Sequence, residues 1–183
     1  MWQHPFDKKT ITSRFGETAR RKSPHRGTDY APGVNEIIPS VTAGKVTKIF
    51  YSKCLGWVCE VKANDGGYYV GYAHLNCAKH GPECDGKDHK RDTCMKNLKV
   101  GDRVEMGQPV GRVGNSGTCS RGAHLHLTIS KRSDPRWAPV FDIEKFIDDK
   151  LKAQKLVKRP VTPPKTTTSV DDTKVCPRCK RPL

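Results

Sequence analysis

Five side chains in this sequence have the types and the order that a hydrolytic metal centre requires: His25 and Asp29 in His25-Arg-Gly-Thr-Asp29, His74 in Tyr72-Ala-His74-Leu75, and His124 and His126 in His124-Leu-His126. A catalytic zinc is normally held by three ligands drawn from His, Cys, Asp and Glu, with a fourth position left for an activated water. The five groups are candidates for both jobs, ligation and water handling. In a strand successive side chains alternate faces, so His124 and His126 point the same way, about 6.5–7 Å apart, while Leu125 and Leu127 point into the opposite layer. Such a strand has an apolar back and a polar front that floors an open groove. Each piece alone is weak, because a His-x-His pair is most often a surface pair and a His-x-x-x-Asp in a glycine-containing loop is most often a turn. The ordered combination carries the reading.

With Gly114-Asn-Ser-Gly117 shortly before the last histidine pair, these stretches resemble the lysostaphin-type (LytM-like) zinc endopeptidases that cut bacterial peptidoglycan. The family pattern is His-x-x-x-Asp, then a central His in a Tyr-x-His-Leu strand, then Gly-Asn-(Ser/Thr)-Gly before His-Leu-His. Val100 to Gly111 is similar to the family's glycine-punctuated hairpin, and Ile11 to Gly16 to the strand that leads into the first ligand loop, so the resemblance covers about residues 5–145. It implies one catalytic Zn2+ on His25, Asp29 and His126, with His74 and His124 as the catalytic pair that orients water, exchanges protons and stabilises the oxyanion. A zinc there would lower the pKa of its bound water to about 7. Histidine binds metal as neutral imidazole, so metal affinity and activity are expected to fall as the pH drops toward about 6.5. Tyr72 would share a face with His74 on a regular strand, which makes it, with Asn115, a candidate for the substrate groove. Cross-strand packing is an equal alternative for the phenol, and the first task of Asn115 and Ser116 is to make their turn.

These groups must be positioned by a mainly β fold: an antiparallel β-sheet core with an open active-site groove, a Cys/His-rich inserted loop and one C-terminal helix. Short strand signals occur at Ile37-Ile38, Val41 to Phe50 broken by Gly44, Trp57 to Lys62, Tyr68 to Leu75, Val110 to Val113 and Ala123 to Ile129. Asn64-Asp-Gly-Gly67 between two alternating runs is a hairpin signal. Ile143, Phe146, Ile147 and Leu151 recur at helical spacing behind the capping candidate Asp142, and this helix should dock through Phe146 and Ile147. The expected organisation is a peptidase domain over 1–158 with an insertion at 77–97, a Pro/Thr-rich linker at 159–175, and a basic CxxC tail at 176–183.

The insertion carries Cys77, His80, Cys84, His89 and Cys94. It is too polar to fold around a core of its own and needs a staple, either disulfides or a second, structural zinc; unlinked thiols are the remaining alternative. Cys119 is a candidate partner for its odd cysteine, Cys54 and Cys59 are candidates to bridge a tight hairpin, and Cys176-Pro-Arg-Cys179 is half of a zinc ribbon.

The formal net charge is +15, and residues 150–183 contain ten Lys or Arg against two Asp. Attraction to a polyanion follows, and for a wall hydrolase that is the anionic cell wall; charge alone does not separate wall from nucleic acid. No basic segment followed by an apolar core opens the sequence, and no run approaches the ~20 apolar residues of a membrane span. The expectation is therefore a phage endolysin, or a virion-associated lysin, made in the host cytoplasm and acting at the wall as a bacteriolytic, antimicrobial monomer. The alternatives are a catalytically silent relative that binds wall, which the retention of all five groups opposes, and a basic, zinc-stapled nucleic-acid binder, which leaves the ordered histidines unexplained.

Overall fold

Glycine turns and short alternating runs fold into β1 (Ile11–Ser13), β2 (Thr28–Tyr30), β3 (Ile37–Pro39), β4 (Gly44–Ser52), β5 (Gly56–Ala63), β6 (Tyr69–Leu75), β7 (Arg103–Val104), β8 (Pro109–Arg112), β9 (Leu125–Ser130) and β10 (Val140–Phe141), followed by the helix α1 (Ile143–Val157). The computed structural model describes residues 1–19, 21–76 and 98–157. Its main sheet runs β1-β2-β9-β6-β5-β4-β7, with β10 also paired to β9, and β3 and β8 form a separate ribbon. Every pairing is antiparallel. The expected mainly β fold with one helix is what these residues adopt.

The two-residue period of β9 decides what the sheet does. Leu125, Leu127 and Ile129 are fully buried on one side, where they meet Tyr30, Tyr72, Val61 and Val70. Truncating such a residue to alanine typically costs about 2–5 kcal/mol, so this layer fixes the strand's register. His126 and Thr128 consequently face the other way. The helix seals the apolar side: the Asp142 carboxylate accepts the Lys145 backbone N–H at 2.9 Å, capping α1, and Ile143 and Ile147 are fully buried. Phe146 packs edge-on to Trp2 with ring centroids 4.8 Å apart. Trp2 is itself buried and donates its Nε1–H to Asp65, which ties the N-terminal segment to the β5–β6 turn. No helix among the described residues is long and apolar enough to cross a membrane.

The cysteine pairing differs from both expectations. Cys54 is bonded to Cys119, not to Cys59 and not to the insertion. Cys59 lies in β5 with its side chain buried in the core, whereas Cys54 sits exposed in the β4–β5 turn. Loop 114–120 folds back onto that turn and brings the Cα atoms of Cys54 and Cys119 to 4.8 Å, within disulfide range. The insertion residues Cys77, His80, Cys84, His89 and Cys94, the 159–175 linker and the Cys176/Cys179 pair lie outside the described residues.

Candidate metal centre

Strand register brings the candidate ligands together. β9 lies between β2 and β6, and His126 is directly opposite Asp29 on one side and Ala73 on the other. Cross-strand pairing therefore sets the Asp29 carboxylate against the imidazole, with Oδ1 2.8 Å from His126 Nδ1. His25 enters from the loop preceding β2, and its Nε2 is 3.1 Å from both His126 Nδ1 and Asp29 Oδ1. The three ligand atoms lie within 4.8 Å of one another and all three residues are buried. Two imidazole nitrogens and a carboxylate oxygen converging in this way form a donor set that suits zinc.

Neighbouring groups orient each ligand. His25 Nδ1 is 3.0 Å from the Arg14 carbonyl and 3.0 Å from Ser13 Oγ. A carbonyl only accepts, so Nδ1 carries the proton and Nε2 keeps its lone pair for a metal. Arg21 donates to Ser13 Oγ at 2.9 Å and to Asp29 Oδ2 at 3.2 Å, which holds the carboxylate with Oδ1 inward. No motif or spacing in the sequence marks Ser13 or Arg21 for these tasks.

His74 is placed by a break in regularity. Trp57 of β5 pairs with Leu75 and Cys59 with Tyr72, so Ala73 and His74 together oppose Val58, and His74 has a φ of 57°. This bulge turns the His74 ring toward the groove. It also overturns the expectation that Tyr72 shares its face: Tyr72 points into the core, fully buried, where its hydroxyl accepts the Val41 N–H at 3.0 Å and lies 3.4 Å from Ser40 Oγ. Burial pushes its phenol up. Tyr72 is a core residue and lines no substrate groove.

His74 Nδ1 donates to the Ser116 carbonyl at 2.8 Å, and Ser116 Oγ in turn donates to the Leu75 carbonyl at 2.6 Å and accepts the Trp57 N–H at 3.0 Å. The glycines explain how Ser116 gets so close. A Cβ on Gly56, whose φ is +64°, would lie 2.2 Å from Ser116 Oγ, and one on Gly117 would lie 2.2 Å from the Gly56 nitrogen. Ser116 thus positions His74 as well as making its turn, and its only signal in the sequence is its place among those glycines. His124 is held by a bridge to Gly114 just before β9, with Nδ1 donating to the Gly122 carbonyl at 2.8 Å and Nε2 3.7 Å from Asp29 Oδ1. Asn115 is half-buried and accepts from Ser120 Oγ at 2.6 Å; that hydroxyl lies 3.3 Å from His124 Nδ1. The His74 and His124 rings are 4.6 Å apart, and His74 is 5.9 Å from His126.

Burial, with His124 and His126 close by, lowers the His74 pKa to about 3, and burial lowers His126 as well. Burial opposes ionisation of Asp29, but the His126 and His25 ring nitrogens beside it, at 2.8 and 3.1 Å, hold its carboxyl well below the usual carboxylate range. An ionised Asp29 carboxylate and a His126 imidazole held against protonation are the states a metal requires of those two groups.

No protein-family model matches the chain. The solved structure of LytU matches it with a TM-score of 0.61 and 30% identity, covering 81% of this chain and 91% of LytU. The chain belongs to the lysostaphin-type, LytM-like peptidase family. Within that family, peptidoglycan DD-endopeptidase ShyC of Vibrio cholerae is 29% identical over 129 residues, or 67% of this chain. The chain spans about a quarter of the length of the curated relatives it matches. A zinc containing peptidase from Vibrio cholerae shares the fold at a TM-score of 0.52 and 26% identity, over 69% of this chain and 35% of that one.

Proposed function

We propose that the protein is a zinc-dependent endopeptidase that hydrolyses peptide bonds of bacterial peptidoglycan, in stem peptide or cross-bridge, and so lyses the wall. The observation that carries this reading is the convergence of His25 Nε2, Asp29 Oδ1 and His126 Nδ1 with two further imidazoles beside them. The peptidoglycan endopeptidase name of ShyC and the zinc of the Vibrio peptidase support it from outside the chain.

In this reading His25, Asp29 and His126 hold the ion. Zinc bound there supplies Lewis-acid polarisation of the scissile carbonyl and lowers the pKa of a coordinated water to about 7. His74 and His124 each have Nδ1 committed to a backbone carbonyl, so each turns Nε2 toward the groove as proton acceptor. One takes the proton of the attacking water and returns it to the leaving amine. The other hydrogen-bonds the developing oxyanion or the water.

Purified protein incubated with cell walls should clear turbidity and release amines, and both signals should vanish with a chelator and in His124→Ala. No release from walls of several chemotypes would sink the proposal. Within it we place the chain as a phage-encoded endolysin; finding the protein exported by an intact, uninfected host would overturn that narrower part.

A further inference from the structure

Trp2 and Trp57 are buried, whereas Trp137 is 82% exposed. An exposed indole on a loose loop would mean little, but this loop is braced from every side. The buried Glu60 carboxylate accepts from Ser133 Oγ at 2.7 Å and from the Asp134 N–H at 2.5 Å. The Trp137 and Ala138 N–H groups both donate to the Asp134 carbonyl, at 3.2 and 3.0 Å. Asp134 holds the Arg136 side chain at 2.8 Å, and the Arg136 guanidinium lies over the Phe50 ring at 4.6 Å. From the other side Arg26, the residue after ligand His25, donates to the carbonyls of Arg136 at 3.1 Å and Ala138 at 2.6 Å.

That rigid turn stands over a cavity of about 330 Å³ that reaches the metal centre. His126 and Thr128 line it on the strand side, and Leu55, Ala73, Pro135 and Trp137 supply apolar surface. Arg26 stands at the same cavity, and among the described residues it makes no ion pair with a carboxylate. An apolar wall next to a guanidinium that pairs with no carboxylate among the described residues suits a ligand that brings both an alkyl group and a carboxylate.

Resting on the peptidase reading above, we propose that this cavity is the subsite beside the scissile bond, and that it selects alanine-linked, carboxylate-bearing stem peptide over a glycine bridge. The alanine methyl packs against Leu55, Pro135 and Trp137, and the neighbouring free carboxylate pairs with Arg26. Internal glycines have no side chain to exchange for water in the cavity and no carboxylate for the guanidinium. Trp137 and Arg26 are then the specificity-determining residues, and Glu60 positions the turn that carries the indole.

The test uses the full chain with zinc and two soluble probes, an alanine-linked stem-peptide dimer with free carboxylates and a pentaglycine-bridged peptide. The ratio of kcat/KM should favour the alanine-linked probe, and Trp137→Ala and Arg26→Gln should each lower that ratio about tenfold. Because the indole is exposed, Trp137→Ala should melt with the wild type, which separates a binding role from a folding one. A second readout needs no turnover: acrylamide quenching reports Trp137 almost alone, since Trp2 and Trp57 are buried. In His124→Ala protein the alanine-linked probe should shield Trp137 and the pentaglycine probe should not. Equal shielding by both probes, or a selectivity ratio unmoved by Trp137→Ala, overturns the inference. If neither probe is cleaved but shielding by the alanine-linked one persists, the subsite stands and the peptidase reading fails.

Discussion

Gly27 shows how narrowly the ligand geometry is set. A Cβ at this position would meet the Leu127 carbonyl oxygen at 2.6 Å and His126 Cε1 at 2.7 Å, so only glycine lets the first ligand loop pass beneath the His126 ring. Gly27→Ala must displace either the ring or the β9 backbone. The expected cost is about 1–3 kcal/mol in denaturant unfolding, accompanied by weaker zinc binding in competition with a chromophoric chelator. Wild-type zinc affinity in that variant would contradict the placement of His126 as a ligand. The same dependence on close approach explains Ser116, which reaches His74 only because Gly56 and Gly117 let two backbones touch.

At the scale of elements, the β4–β5 turn and loop 114–120 act as one unit. Thr118 and Cys119 donate their N–H groups to the Lys53 and Cys54 carbonyls at 2.8 and 3.1 Å, and the disulfide closes the contact across a separation of 65 residues. His74 N–H bonds the Leu55 carbonyl at 2.8 Å, so the unit also positions His74. Loop entropy of this size corresponds to about 4 kcal/mol, so Cys54→Ser/Cys119→Ser should melt several degrees below the wild type in the absence of reductant. An unchanged melting temperature would count against the pairing. The 133–138 turn makes a different prediction, through pH. A hydrogen bond from the Arg136 side chain holds the Asp134 carboxyl down at about 2, against 3.8 for the free group. Its ionised form is thus favoured in the folded state, and the stabilisation is complete above about pH 3.8 and lost as the pH falls through about 2. Urea midpoints measured from pH 5 to pH 2 should fall more steeply for wild type than for Arg136→Ala, and parallel slopes would remove Arg136 as the cause.

For the whole molecule the dominant quantity is the formal charge of +15. A polyanionic wall attracts such a protein over a distance that salt shortens to about 8 Å at physiological ionic strength. Residues 159–183 carry six Lys or Arg against two Asp. Deleting them should weaken co-sedimentation with purified walls at low salt and leave cleavage of a small soluble peptide intact, and the difference should shrink as salt rises. Undiminished wall binding by the truncated protein would place the relevant charge on residues 1–158.

The five groups that folding gathers, His25, Asp29, His74, His124 and His126, were legible as candidates in the sequence because residue type and order are local properties of the chain. The polar face of 124–128, the Asp142 cap and the buried Ile143–Ile147 face were legible for a related reason, since strand and helix periods are local. Tertiary structure alone decided the rest. Which nitrogen of each histidine faces inward depends on carbonyls at Arg14, Ser116 and Gly122. Tyr72 belongs to the core because a bulge at Ala73 and His74, visible only in the register against β5, breaks the two-residue period. The pairing of Cys54 with Cys119, the service of Ser13 and Ser116, and the bracing of Trp137 by Glu60 and Arg26 all join residues brought together by folding. No local period encodes contacts of that kind, because they are set by which strands become neighbours and in what register.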